Sequence, residues 1–229
     1  GNSGHKVLGR GDGTFYQDRK GGDISTKWNK KNGRKDLSEN RIIGIVGLGH
    51  GAGVTHLAVM MGNYLSGACG LKTAVLEWNG QRNFKKMEQE CLGRQMGGRP
   101  FTVLDVDYYA GADERVLTAC INLNYQHIII DFGGISVENR TEFFRCDRKP
   151  VVPSLSEWQI EAFWEFLRQE GKAGKRSWTY LTAFGSEETR IEIVRRLKLP
   201  IVRIPLSVDA FTVTREMMRW FEELLTARI

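Results

Sequence analysis

The chain has 229 residues, of which 41% are hydrophobic and 26% charged, a composition typical of one large globular domain. No apolar run approaches the roughly 18–20 residues that a membrane-spanning helix needs, and the polar, Gly-rich start is unlike a secretory signal. The four cysteines are scattered without a C-x-x-C pair, which argues against a zinc site and indicates free thiols in a reducing cytoplasm.

Residues 1–40 carry much of the net charge of +6, because they hold nine Lys/Arg against five Asp/Glu, together with eight glycines. Such a segment buries too little apolar surface to offset the entropy cost of ordering it, so we expect a flexible, basic, Gly-rich leader. A solvated tail or linker is the simplest role for it, and contact with nucleic acid or a membrane surface is the alternative. The chain begins with Gly1 and not Met, so we expect a trimmed sequence.

From Arg41 onward, apolar strand-like segments alternate with amphipathic helical ones. Segments that are short, β-branched and apolar on both faces predict strands at residues 41–49, 72–78, 101–109, 126–134, 149–156, 177–185 and 200–206. Amphipathic segments predict helices at residues 55–68, 83–93, 112–123, 138–146, 158–171, 186–199 and 214–227. The alternation predicts one α/β domain over residues 41–229: a three-layer, doubly wound, mostly parallel sheet of about seven strands with helices on both faces.

The last predicted helix has a single apolar face. Its members recur at i, i+3, i+4, i+7 and i+8: Met217, Trp220, Phe221, Leu224 and Leu225. The opposite face mixes acidic and basic residues, whereas helices that lie on membranes favour a Lys/Arg-rich polar face. We therefore expect this helix to pack on the core.

The first predicted strand runs into the sequence GLGHGAGVTH, residues 47–56, where four glycines recur at every second position. Ligands of a doubly wound sheet bind beyond the carboxyl ends of its strands, so this position suits a binding site. Two motifs fit the letters, and they predict different cofactors.

The first motif is the dinucleotide fingerprint G-x-G-x-x-[GA], which residues 47–52 match. Glu77 would then bind a ribose hydroxyl, and the protein would be an NAD(P)-dependent oxidoreductase. Under this interpretation Gly51 and Gly53 fall in the first turns of a helix, where each costs up to ~1 kcal/mol relative to Ala. Thr55 has no role in it, and a second catalytic constellation is missing, so this is the less favoured alternative.

The second motif is the phosphate loop G-x-x-x-x-G-K-[ST], with Gly53 at the last glycine position and Thr55 at the hydroxyl position. Successive backbone amides of residues 49–55 would then surround a phosphate, helped by the N-terminus of the next helix. Thr55 would bind Mg²⁺, and Asp131, which ends an apolar strand, would hold the metal directly or through water. A helix-capping or turn-capping role for Asp131 is the alternative.

Three segments resemble the ParA/MinD-type P-loop proteins of the SIMIBI class. Their deviant Walker A region is similar to RIIGIVGLGHGAGVTHLAVMMGNYL, and their Walker B strand is similar to YQHIIIDFGG. A late strand and loop of the family, which lies near the nucleotide base, is similar to LPIVRIPLSVDAF. The resemblance runs from about Arg41 to the C-terminus and is closest in character to the bacterial TadZ/CpaE-like members, which position pilus machinery.

This resemblance implies the P-loop NTPase fold, ATP or ADP with Mg²⁺, a homodimer, and a protein partner in a membrane-associated or pilus-type machine. It also implies a cytoplasmic protein that is peripheral to the membrane. Carried over position by position, it makes the nucleotide-contacting residues Gly49, His50, Gly51, Ala52, Gly53, Val54, Thr55 and His56, and the Mg²⁺ ligands Thr55 and Asp131.

The two characteristic lysines of this family fall at Gly49 and Val54, and neither position carries a charge. Phosphoryl transfer depends on electrostatic stabilisation of the phosphates, and loss of one well-placed charge commonly costs ~10²–10³ in rate. We therefore expect a nucleotide-binding regulatory, positioning or scaffolding factor that is at most a weak ATPase, with Asp131 as the catalytic candidate. An interaction module with a vestigial loop is the remaining alternative.

Further carboxylates fall near the predicted strand ends. Glu77 stands where active relatives usually have Asp, and it is expected to help hold a water or a metal ion. Asp105 and Asp107 alternate along the third predicted strand, so they are expected to share one face. An acidic pair near the site and a solvated strand end both remain open for these two residues.

Overall fold

The computed structural model describes residues 41–95, 97–170 and 178–227. The predicted leader, residues 1–40, lies outside these ranges, so its flexibility and its contacts stay predictions. Within them, eight strands and seven α-helices alternate along the chain.

The strands are β1 Ile42–Leu48, β2 Thr73–Glu77, β3 Phe101–Val103, β4 Val106–Tyr109, β5 His127–Gly134, β6 Pro150–Pro153, β7 Thr179–Thr182 and β8 Ile201–Arg203. The helices are α1 Val54–Asn63, α2 Asn83–Leu92, α3 Glu114–Asn122, α4 Val137–Arg145, α5 Ile160–Gln169, α6 Glu187–Leu197 and α7 Arg215–Thr226. A π-helical turn, Tyr64–Ala68, continues α1.

The strands form one sheet in the order β3-β4-β2-β5-β1-β6-β7-β8, and every neighbouring pair is parallel except β3 and β4. Helices α1, α2 and α7 pack on one face, and α3 to α6 pack on the other. Both faces of the central strands are therefore buried, which is why β1 and β5 consist almost wholly of apolar and small residues. The predicted doubly wound fold is confirmed, with one strand more than expected.

The extra strand comes from residues 101–109, which were expected to form a single strand. Leu104 and Asp105 both adopt left-handed backbone angles, with φ of 51° and 61°, and they form a two-residue turn between antiparallel strands β3 and β4. The apolar alternation continues across this turn, so the sequence pattern alone looks like one strand.

The expectation that Asp105 and Asp107 share a strand face is wrong for the same reason. Asp105 lies in the turn, whereas Asp107 lies near the amino end of β4 and pairs in register with Ala74. The Asp107 carboxylate accepts hydrogen bonds from Thr102 Oγ1 and from Tyr125 Oη. These carboxylates therefore lie toward the edge of the sheet opposite the glycine loop.

The closing helix α7 packs on the core, as its apolar face predicts. Met217, Phe221 and Leu225 are buried, and the Phe221 ring stacks on Tyr64 with ring centroids 5.1 Å apart. Across the described ranges, no helix combines the length and the apolar content that crossing a membrane would require.

Candidate functional site

The strand order brings the glycine loop next to Asp131. Strand β5 lies between β1 and β2, so the carboxyl end of β5 is the direct neighbour of the loop that follows β1. Glu77, which ends β2, pairs in register with Asp131 on the other side of β5. In the dinucleotide-binding fold the first two strands are themselves neighbours, so this sheet does not have that topology.

The loop after β1 depends on glycine for its backbone angles. Gly51 and Gly53 have φ of 72° and 94°, and an added Cβ at either would meet no atom within 4 Å. Their requirement is therefore conformational, since L-residues pay roughly 1–2 kcal/mol in the left-handed region. Gly49, with φ of 127°, follows the same pattern and is exposed.

Gly47 is required for a different reason, which is space. A Cβ there would lie 2.8 Å from Val54 Cγ2 and 3.3 Å from the Gly133 carbonyl oxygen. The strand, the loop and the start of α1 are thus in close contact. This packing keeps the loop directly above the end of β1.

Helix α1 begins at the loop with its amides uncapped. Gly53 is the N-cap residue and offers no side chain, and the first intrahelical bond runs from Leu57 N to Gly53 O. The backbone N–H groups of Val54, Thr55 and His56 precede that bond and have no place in the helical ladder. Uncapped amides at a helix N-terminus, together with the helix dipole, favour an anion such as phosphate.

Thr55 and Asp131 meet across the sheet edge. Thr55 Oγ1 donates a hydrogen bond of 2.6 Å to Asp131 Oδ2, and Gly133 N donates one of 2.9 Å to Asp131 Oδ1. The Asp131 side chain is fully buried, and this burial raises its pKa, while the bonds from Thr55 and Gly133 act in the opposite direction.

A hydroxyl and a carboxylate are hard oxygen donors, which is the chemistry that Mg²⁺ prefers. Magnesium commonly takes one or two protein ligands and fills its remaining positions with water and phosphate oxygens. The predicted ligands Thr55 and Asp131 are therefore close enough together, and of the right type, to hold this ion beside the loop.

Glu77 has a structural role that the sequence did not suggest. Its Oε1 accepts hydrogen bonds from Asn83 N at 2.6 Å and from Phe84 N at 3.3 Å, so the carboxylate caps the start of α2. Burial raises the pKa of Glu77 most, and the nearby Asp131 charge adds to that rise. Oε1 of Glu77 therefore caps the start of α2. A role of Glu77 in holding a water or a metal ion stays a prediction.

The position of the missing lysine is filled by a core side chain. Val54 is only 6% exposed and packs with β1 and the other buried residues of that face, and Ala52 is buried beside it. Both residues can contact a bound ligand only through their backbone groups. Gly49, at the other lysine position, supplies no side chain at all.

The two loop histidines differ in their surroundings. His50 is exposed, and its carbonyl oxygen accepts a hydrogen bond of 3.0 Å from Gln159 Nε2. Burial lowers the pKa of His56, with Asp209 opposing that shift, so His56 is a poor source of positive charge at neutral pH. Sequence reasoning missed Gln159, although its place in the segment after β6 puts it at the same edge of the sheet.

Solved structures share this architecture. The MinD cell division protein of Aquifex aeolicus is 16% identical, covering 82% of this chain and 98% of its own, with a TM-score of 0.59. A ParA family ATPase from Chlorobium tepidum is 15% identical, covering 81% and 92% respectively, with a TM-score of 0.54. The chain has the ParA/MinD-type P-loop fold.

A third structure with this fold was solved with ligands. Cobyrinic acid a,c-diamide synthase from Mycobacterium smegmatis, with a bound ATP analog and magnesium, is 13% identical over 81% of this chain and 94% of its own, with a TM-score of 0.57. No protein-family model matches the sequence, and no curated protein sequence matches it either. Identities this low establish the fold, so the function has to be argued from the site itself.

Proposed function

We propose that the protein binds ATP or ADP with Mg²⁺ at residues 49–56 and hydrolyses the nucleotide slowly or not at all. The observation that carries this proposal is the hydrogen bond of 2.6 Å between Thr55 and Asp131, which joins the loop to the neighbouring strand. Uncapped amides at the start of α1 provide the phosphate-binding element beside this pair.

Slow hydrolysis follows from the charges at the loop. Residues 47–58 contain no Lys or Arg, Val54 is buried, and His56 has a lowered pKa. A nucleotide bound here would keep its positioning groups but lack the cations that stabilise the transferring phosphoryl group. Such a protein works as a switch or a scaffold, in keeping with a regulatory or positioning role of the TadZ/CpaE-like kind.

A protein partner or a second copy of the chain is the proposed target of this switch. Leu206 and Val208 are 93% and 95% exposed, and Trp158 is 80% exposed. All three lie on segments that follow β6 or β8, so they are at the same edge of the sheet as the loop. Exposed apolar side chains grouped at one edge are typical of interaction sites.

The alternative of an interaction module with a vestigial loop rests on these same exposed residues. It predicts that replacing Gly51 or Gly53 by Val leaves partner binding unchanged. An NAD(P)-dependent oxidoreductase is the weaker alternative, because β5 separates β1 from β2 and Glu77 caps α2. Binding of NADH, detected by its fluorescence, would favour it.

Isothermal titration with Mg·ATP, Mg·ADP and metal-free ATP tests the proposal. We expect binding with a Kd on the order of hundreds of micromolar or tighter, and weaker binding without Mg²⁺. Thr55→Ala should remove the dependence on Mg²⁺, whereas Thr118→Ala, which removes a hydroxyl bonded within the exposed face of helix α3, should not. No heat with either nucleotide would refute nucleotide binding, and turnover at ordinary ATPase rates would refute slow hydrolysis.

We also propose a cytoplasmic location with peripheral contact to a membrane or to nucleic acid through the basic residues 1–40. Vesicle flotation and DNA retention should then depend on these residues. The chain starting at Arg41 is the comparison, because it keeps every described element of the domain. Equal binding with and without residues 1–40 would refute this role.

A further inference from the structure

The segment after β2 lies directly against the Thr55–Asp131 pair. Asn79 Nδ2 is 3.4 Å from the Asp131 carbonyl oxygen, and Trp78 N donates to that oxygen at 2.8 Å. A Cβ on Gly133, whose amide binds the Asp131 carboxylate, would lie 2.8 Å from Asn79 Cβ and 3.3 Å from Gln81 Nε2. Residues 78–81 therefore form one wall of the site.

The next residue in this segment, Arg82, has an unfavourable backbone conformation. It is the N-cap of α2 and has φ of 60° and ψ of 27°, in the left-handed region that glycine adopts without strain. Its side chain gives no cap bond, so Arg82 does not serve the helix in the way that Ser, Asp or Asn would. Strained residues of this kind concentrate at functional sites.

The Arg82 side chain is also exposed and uncommitted. Within residues 41–95, 97–170 and 178–227, its guanidinium has no hydrogen bond and no ion pair. By contrast, the partly buried Arg190 and Arg203, at the β8 side of the sheet, both form ion pairs with Glu187. Arg82 therefore offers a long, unpaired cationic side chain directly after residues 78–81, the wall that contacts Asp131.

The loop supplies no cation of its own, so any positive charge beyond the proposed Mg²⁺ has to come from outside it. A nucleotide at residues 49–56 would bring several negative charges next to the buried carboxyls of Asp131 and Glu77, and residues 47–58 contain no Lys or Arg. Like charges at close range in a buried site repel strongly unless a cation compensates them. Arginine suits phosphate oxygens because its planar fork binds them in pairs.

We propose that Arg82 supplies the positive charge to the terminal phosphates of the bound nucleotide that Gly49 and Val54 lack. This inference rests on the proposed nucleotide binding and names the residue from outside the loop that completes it. Arg82 is thus a phosphate-binding residue on the segment that follows β2. Its strained backbone angle is retained because the side chain is needed at that point of the wall.

The variant Arg82→Gly removes the positive charge without adding strain to the backbone. Glycine adopts a φ of 60° without strain but gives the unfolded chain more freedom, so we expect the unfolding midpoint to stay within about 4 °C of the parent protein. Lys198→Gly is the matched control, because Lys198 is an exposed cation with φ of 51° just before β8, at the opposite edge of the sheet. It removes the same charge and the same strain far from the loop.

Affinity for ATP, ADP and AMP is the deciding measurement. Arg82→Gly should weaken Mg·ATP binding at least about tenfold, the loss expected for a charged hydrogen bond, and should leave AMP binding almost unchanged. Arg82→Lys should recover much of the ATP affinity, and Lys198→Gly should match the parent protein. If the parent protein binds ATP and Arg82→Gly binds it equally well, the inference is overturned while nucleotide binding stands.

Two other outcomes also decide the matter. An equal loss of affinity for ATP and AMP, or a fall in the unfolding midpoint well beyond that of Lys198→Gly, would make Arg82 a structural residue and overturn the inference. Failure of the parent protein to bind any nucleotide would overturn the proposed function itself.

Discussion

Replacing Thr55 by Val should weaken the domain even without a ligand. Valine has nearly the shape of threonine, so the change creates no cavity and removes one hydroxyl, which donates a hydrogen bond of 2.6 Å to Asp131. Hydrogen bonds to charged groups contribute about 1.5–3 kcal/mol, and a buried acceptor left unsatisfied costs a similar amount. We expect the free energy of unfolding to fall by about 2 kcal/mol, which lowers the melting temperature of a domain of this size by roughly 4–8 °C.

Urea denaturation and calorimetry measure this loss directly. Thr55→Ser keeps the hydroxyl and should retain most of the stability. Thr118→Val removes a hydroxyl that bonds to Glu114 O on the exposed face of helix α3, so it should cost about 0.5 kcal/mol or less. A Thr55→Val protein as stable as the parent would show that Asp131 does not depend on Thr55, and the argument for a preformed metal-binding pair would fail.

Two further predictions concern packing and pH. Gly47→Ala should destabilise the domain by about 1–3 kcal/mol, because the added methyl group would collide with Val54. Val54→Ala in the same chain should recover part of that loss, which a double-mutant cycle in urea would measure. Additive effects of the two substitutions would refute the contact. Hydrogen bonds from Arg190 and Arg203 lower the pKa of Glu187 to about 2, so its stabilising effect is complete above pH 4.5 and is lost as the pH falls from 4.5 toward 2. Unfolding midpoints of Glu187→Gln and the parent protein should therefore converge in acid, and a constant difference between them across this window would contradict the assignment.

The sequence predicted the sheet well where each segment carries its own signal. Strands β1 and β5 are continuous apolar runs, and such runs predict buried parallel strands whatever surrounds them. Helix α7 was placed on the core because its apolar residues fall on one face. The turn at Leu104 and Asp105 was missed because the side-chain alternation continues through it, and only its backbone angles separate β3 from β4.

The sequence predicted those parts of the site that are local in the chain and missed those that depend on distant contacts. The loop glycines and Thr55 follow one another in the chain, so their spacing suggested a phosphate loop before any contact was known. The hydrogen bonds from the start of α2 to Glu77 could not be predicted, since the same local sequence allows a carboxylate at a strand end either to cap a helix or to bind a metal. The bond from Gln159 to the loop joins residues 109 apart, and no local pattern signals it.

The sequence by itself determined the elements of this protein, the glycine loop and the absence of lysine from it, because these properties belong to neighbouring residues. Tertiary structure alone decided which strand lies beside that loop. Placing β5 between β1 and β2 puts Asp131 against Thr55, excludes the dinucleotide topology, and brings the segment that carries Arg82 to the same edge. Strand order depends on how all the helices pack on both faces of the sheet, and no single segment of the chain encodes it.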